Sequence, residues 1–286
     1  MTRLHIKRLL HHQGIALIAV LWIVAALSII VTGVVHSVRS EVRLVSTTRQ
    51  TIQAVALGEA AIALVLQDMA SRPERTTRLV TMDVVYQGST MAVEIMPLSG
   101  LIDINKAPAA LLTSLYLVAG EMDAKEAAAL AEATVQTRSE RDARGREQGF
   151  EAVQDLLRVP GVDYDLYARL SRLITADEQG TGQINPQAAP DGVLAVLAQG
   201  NTALAGALAA RRASGATDID TAILNGEHIS NSSSSRYRLQ AYVMLPDGAR
   251  IVVARSIDLR PDPRLGLPWR IFNAEHWMQG APLKGV

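Results

Sequence analysis

From Ile15 to Val35 the chain runs without a charged side chain, and apolar positions then continue at Val38, Val42, Val45, Ile52, Val55, Ile62, Leu66 and Met69. The steps place them on one stripe of a helix. No proline precedes Pro73, so the pattern predicts a helix from Ile15 to about Ala70, ended by Ser71-Arg72-Pro73. At about 1.5 Å per residue such a helix is roughly 80 Å long, and its uncharged part matches the roughly 30 Å hydrocarbon layer of a bilayer. That part is long for a signal-peptide core, and no small-x-small cleavage site follows it, so 15–35 reads as a retained membrane span. Arg3, Lys7 and Arg8 lie before it and no strong basic cluster follows, which puts the N-terminus in the cytoplasm and the body across the membrane.

Beyond the helix the period changes. Met82 to Tyr86 and Thr90 to Met96 are two strand-like runs around Gln87-Gly88-Ser89. Tyr237 to Leu245 and Arg250 to Asp258 flank Pro246-Asp247-Gly248, with Leu239, Ala241, Val243 and Leu245 on one face. Both read as hairpins. Neither can bury its apolar face alone, and one antiparallel sheet packed on the outer half of the long helix covers both. Between them, from about Leu101 to Glu227, alanine- and leucine-rich stretches show no strand alternation. Helices are predicted over Pro108 to Ala119, Ala124 to Glu140, Phe150 to Val159, Asp165 to Ala176, Asp191 to Gln199 and Thr202 to Ala213. The predicted class is α+β, a long N-terminal helix on an antiparallel sheet with a large helical domain inserted between its strands. Pro261, Pro263, Pro268 and Pro282, interleaved with Trp269, Phe272 and Trp277, make the C-terminal stretch an irregular tail. Ser230 to Ser235 reads as a flexible joint and Arg138 to Gly149 as a solvated, protease-sensitive loop.

Composition narrows the function. The 286 residues hold 49% hydrophobic side chains and 28 basic against 28 acidic ones. A body without basic excess lacks the face that phosphate neutralisation needs, which disfavours nucleic acid as a partner. No cysteine is present, so disulfides, thiol nucleophiles and Cys-ligated metals are excluded. Three of the six histidines, His5, His11 and His12, lie in the first 14 residues, and the others are scattered, which leaves no histidine metal centre. No Gly-x-Ser-x-Gly, phosphate-cradling Gly-Lys-Ser/Thr or His-Glu-x-x-His occurs. The chain reads as a structural component rather than an enzyme.

A short basic leader with Gly14 directly before the uninterrupted apolar helix resembles the class III signal of type IV pilin-like proteins. The resemblance implies cleavage by a prepilin peptidase between Gly14 and Ile15 and N-methylation of Ile15. Most of that superfamily carry Glu at the fifth mature position, and Ala19 stands there in this chain. A Glu so placed is understood to neutralise the terminal ammonium of the subunit ahead, since a bare charge in an apolar core is costly. A subunit with nothing ahead of it has no ammonium to meet. In lacking the Glu, in its length and in Leu101 to Pro108, the chain is similar to the large minor pseudopilins of type II secretion systems, the component K family.

That resemblance implies a tip position on a periplasmic pseudopilus that takes part in protein secretion across the outer membrane. The implied partners are minor pseudopilins I and J, the inner-membrane secretion platform and the prepilin peptidase, with no nucleic acid. The body would be periplasmic on a single-pass inner-membrane anchor. The implied organisation is a leader at 1–14, the N-terminal helix at 15–73, the first part of a pilin-like sheet at 74–100, the inserted helical domain at 101–228, the second part of the sheet at 229–260 and a tail at 261–286. Small residues Ala25, Ala26 and Gly33 would let helices approach closely in the membrane. Some members of the family bind calcium. Asp123, Glu126, Asp163, Asp165, Asp177 and Glu178 could supply oxygens, but no EF-hand spacing exists and no ligands are assigned.

Two further motifs carry expectations. Asn105 before Pro108, and Asn185 before Pro190, read as caps in which the amide takes free backbone donors of the following helix. Asp155 to Asp163, followed by Tyr164 to Ile174, resembles half of a helix-hairpin-helix, and its alternative implication is a membrane-anchored DNA-uptake receptor. Asp163 and Asp165 put negative charge where a phosphate would sit, so a packing hairpin is expected instead.

Overall fold

The computed structural model describes residues 12–141, 145, 147–177, 179–215, 221, 223–261 and 266–280. In the first helix, α1 (His12–Ser71), side chains are described for 17–28, 31 and 45–71. The chain divides into two units, Met1–Ala54 and Val55–Val286. Described residues of the first are all helical. The second holds the last turns of α1 and everything after it.

Five antiparallel strands form the sheet, in the order β1-β2-β5-β6-β7: β1 (Val80–Tyr86), β2 (Ser89–Pro97), β5 (Arg236–Met244), β6 (Arg250–Asp258) and β7 (Arg270–Gln279). The first hairpin turns on two residues rather than three, Gln87 at φ 49° and Gly88 at φ 77°, left-handed values that suit the twist of a tight hairpin. Val93 pairs with Ala241, Ala241 with Val253, and Val253 with His276. Period-2 alternation sends Val93, Ile95, Leu239, Ala241, Val243, Ile251 and Val253 to one buried face. Against it lies the end of α1, with Ala61, Ile62, Val65, Leu66 and Met69 buried. Gly58 permits the approach: a Cβ there would stand 2.6 Å from Val253 Cγ2. Of the helical stripe read from sequence, Val45 and Ile52 are exposed, so burial begins later than the apolar pattern does.

The other face of the sheet carries the insertion. Between β2 and β5 come β3 (Ile102–Asp103), α2 (Ala109–Val118), α3 (Ala124–Ser139), α4 (Tyr164–Leu170), β4 (Ile174–Thr175), α5 (Asp191–Leu197) and α6 (Thr202–Ala213). Their core is built on Leu101, Ile104, Leu111, Leu115, Tyr116, Leu156, Leu170 and Val193, with Met96 of the sheet contributing. Burial drives the Tyr116 hydroxyl up to about 12 while it shares a 2.7 Å hydrogen bond with Thr134.

Four expectations are corrected. Phe150 to Val159 forms only a 3-10 turn, Val153–Arg158, because Pro160 and Gly161 leave no room for a longer helix. The segment from Asp165 is helical only to Leu170, after which Ile174 and Thr175 pair in parallel with Ile102 and Asp103. Ser230 to Ser235 is tied down: Ser230 N donates to Ile184 O, and the Ser232 carbonyl accepts from Asn185 Nδ2. The irregular tail contains β7, which adds a fifth strand to the sheet. Prolines flank β7 without entering it, and its side chains are mostly exposed on both faces, so no alternation announced it. Residues 142–144 and 146 of the charged loop, and Pro263 and Pro282 of the tail, lie outside the described residues.

Candidate functional site

Apolar surface is the main feature of α1 before Ala54. Leu17, Ile18, Val20, Leu21, Trp22, Ile23, Val24, Leu27 and Val31 are all more than half exposed, all round the helix. Ala19, Ala25 and Ala26 lie on the same exposed surface, and Gly14, Ile15 and Gly33 are helical in backbone. A helix apolar on every side is suited to lipid or to packing among other apolar helices. The basic leader residues Arg3, Lys7 and Arg8 lie outside the described residues.

The second feature is the join between sheet and insertion. Arg236, first residue of β5, is buried between two carboxylates: its Nη1 lies 2.6 Å from Asp177 Oδ1 and its Nε 3.3 Å from Asp258 Oδ2. Arg260 reaches the same Asp258 oxygen at 2.5 Å. Burial opposes ionisation of Asp258, but hydrogen bonds from the Arg260 side chain and backbone and from Arg236 outweigh it and hold the carboxyl down at about 2. Arg236 also lies over the Phe272 ring, 5.3 Å from its centroid, which draws β7 into the join.

Asp103 stands beside this network. Its Oδ1 accepts from Asn105 N at 2.9 Å and Asp177 N at 3.4 Å, while its buried Oδ2 has no partner. Burial is the main reason its carboxyl is raised to about 7; the two backbone donors pull the other way, and the Asp177 charge adds to the rise. A polar cavity of about 190 Å³ opens here, lined by Asp103, Thr175, Asp177 and Ser232 to Ser235.

The two asparagines do not cap helices. Pro108 and Pro190 are themselves the N-cap residues, without side-chain caps. Asn105 exchanges two 2.8 Å hydrogen bonds with the Phe150 backbone, and Asn185 Nδ2 donates to Thr77 O at 2.8 Å. Each amide therefore cross-links segments far apart in sequence. Asp163 does cap: its Oδ1 accepts from Leu166 N at 2.8 Å at the start of α4. The negative charge of Asp163 is thus held at the first turn of α4.

Three of the acidic calcium candidates are engaged elsewhere among the described residues. Asp123 caps α3 through Lys125 N and Glu126 N, Asp163 caps α4, and Asp177 is engaged by Arg236. Glu178 lies outside the described residues, among which no group of three or more metal-ligating side chains is found.

Arg236, Asp258 and Asp103 escaped the sequence reading, although a signal existed. A hairpin turned on Asp247 sets Arg236 opposite Asp258, an opposite-charge pair in register. Nothing local points to Asp177 as the third member.

No protein-family profile matches the chain, and no curated protein does. Among solved structures, a chain of the GspK-GspI-GspJ complex from the enterotoxigenic Escherichia coli Type 2 Secretion System is similar. The match covers 85% of this chain and 99% of that one, at 14% sequence identity and a TM-score of 0.48.

Proposed function

We propose that the chain is a minor pseudopilin of a type II secretion system that caps the tip of the periplasmic pseudopilus. One observation carries the reading: an uncharged, all-round apolar helix behind Gly14, with Ala19 in place of the usual Glu, leads into a helix-on-sheet body that bears a helical insertion. In membrane and pseudopilus alike, that helix would exchange lipid contacts for contacts with other apolar helices, with Ala25, Ala26 and Gly33 permitting close approach. The insertion adds bulk to the body and would block addition of a further subunit above it. Growth then proceeds from below, and without a subunit ahead there is no ammonium for residue 19 to neutralise. By the same reading the partners are minor pseudopilins I and J, the platform and the prepilin peptidase, and the role is assembly, not catalysis. Leader removal is needed because its basic residues would otherwise follow the helix into an apolar environment.

The test is the intact N-terminal mass after expression with and without a prepilin peptidase. Peptidase-dependent loss of residues 1–14 with a methyl group on Ile15 is expected. An intact Met1, or cleavage beyond Val35, would overturn the reading.

A further inference from the structure

On the insertion-facing side of the sheet, a cleft of about 220 Å³ lies between β5, β6 and β7 and the 3-10 turn and α4 of the insertion. Arg172 stacks over Trp277, 5.2 Å from the ring centroid, and has no ion-pair partner among the described residues. Arg238 uses its guanidinium on the carbonyls of Arg172 and Ile174, at 3.4 and 3.3 Å, and likewise lacks a carboxylate within ion-pair distance. Gln240 is 9% exposed; its Oε1 is taken by the Tyr242 hydroxyl at 3.0 Å, which leaves its Nε2 donor unused. Trp277 Nε1 is buried without a partner. The carboxylate at the rim, Glu275, is engaged by Asn273 Nδ2 at 2.7 Å. With Glu275 counted against Arg172 and Arg238, the cleft keeps a net positive charge.

Among the described residues lining the cleft, Trp277 Nε1 is the buried donor without an acceptor, which is costly, and beside it the exposed Arg172 guanidinium, with no carboxylate within ion-pair distance, favours an anionic acceptor. Above the cleft stands β7, the last strand of the sheet, whose outer edge no described strand covers. An extended segment added to that edge would send alternate side chains to the face of Asn273, Glu275 and Trp277, which is the face that lines the cleft.

We propose that the β7 edge and this cleft together bind an extended segment of a partner protein, with an aspartate or glutamate side chain of that segment seated beside Trp277 Nε1 and the Arg172 guanidinium, and Arg238 adding positive charge behind them. The charge of the cleft selects the acidic residue, and the free edge supplies the backbone pairing. Its chemistry is independent of membrane anchoring and leader cleavage.

The test uses the full chain in detergent micelles, carrying Trp22→Phe and Trp269→Phe so that Trp277 alone reports by fluorescence. The probes are a capped valine- and threonine-rich heptapeptide with one central glutamate, the same peptide with glutamine there, and sodium acetate. Saturable change with the glutamate peptide, binding weaker by about tenfold with the glutamine peptide, and a similar loss in Arg172→Gln are expected, about one charge-assisted hydrogen bond in affinity. Arg172 is exposed, so unchanged circular dichroism of the variant separates lost recognition from lost folding. Equal binding of the two peptides, acetate as effective as the glutamate peptide, or no response to any probe would each overturn the proposal.

Discussion

Asp103 holds its proton to about pH 7 in the folded chain, against about 3.9 for an unfolded aspartate. The folded state therefore binds more protons than the unfolded one between those values, and this group's contribution to stability falls as pH rises through the window. The slope is at most about 1.4 kcal/mol per pH unit. Asp103→Asn keeps an acceptor for Asn105 N and Asp177 N, so it should flatten the decline of unfolding free energy between pH 4 and 7 in urea titrations. Asp258 works in the opposite sense. Its carboxyl, held at about 2, contributes stability that is lost as pH falls from about 4. Arg236 shows what the sequence could reveal at this scale: pairing with Asp258 follows from hairpin register, but pairing with Asp177 depends on how a distant segment folds back. Arg236→Met would leave Asp177 buried and unpaired, and a loss of about 3–5 kcal/mol is expected in chemical denaturation.

Elements were legible wherever periodicity and punctuation agreed. The end of α1 at Ser71, both hairpins, α2, α3, α5 and α6 follow from apolar spacing bounded by proline, glycine or an Asx residue. Where a strand is only two residues long, as in β3 and β4, no period can show. In β7, contacts such as Arg172 on Trp277 and Arg236 on Phe272 replace the burial that would have produced alternation. The helix–sheet contact also depends on a feature that hydropathy does not weigh, the missing side chain of Gly58. Gly58→Leu should force α1 away from Val253 and Val243, with a loss of about 1–3 kcal/mol in urea unfolding. The surface ion pair of Glu59 with Arg255 beside it should matter little, because Glu59 is half exposed.

Across the whole molecule, Gly14, Ile15 and Ala19 lie within one local string, so an expectation can be framed on them from sequence alone, whereas the cleft beneath β7 draws residues from α4, β5 and β7 that only the fold brings together. Ala19→Glu gives a check on the tip reading. If the proposed partners are components I and J and no subunit stands ahead, the full-length variant should co-purify with them no less than the natural chain, and a large defect would sink that account of the missing Glu. The same co-purification in rising salt separates the two functional readings, since a DNA-uptake receptor should instead show salt-sensitive DNA binding.

The insertion separates two strands that must lie side by side: Pro97 of β2 pairs with Tyr237 of β5, and every residue between them has to emerge before that ladder can form. Until then β2 has β1 on one flank and an open edge on the other. Sheets closed by such distant partners pay their loop-closure entropy before any reward arrives, and they fold slowly. The hazard is therefore kinetic: a chain delivered N-terminus first passes through a period in which a half-built sheet can pair with the wrong neighbour. Changes that hasten compaction of the insertion should shorten that exposure without altering the final structure.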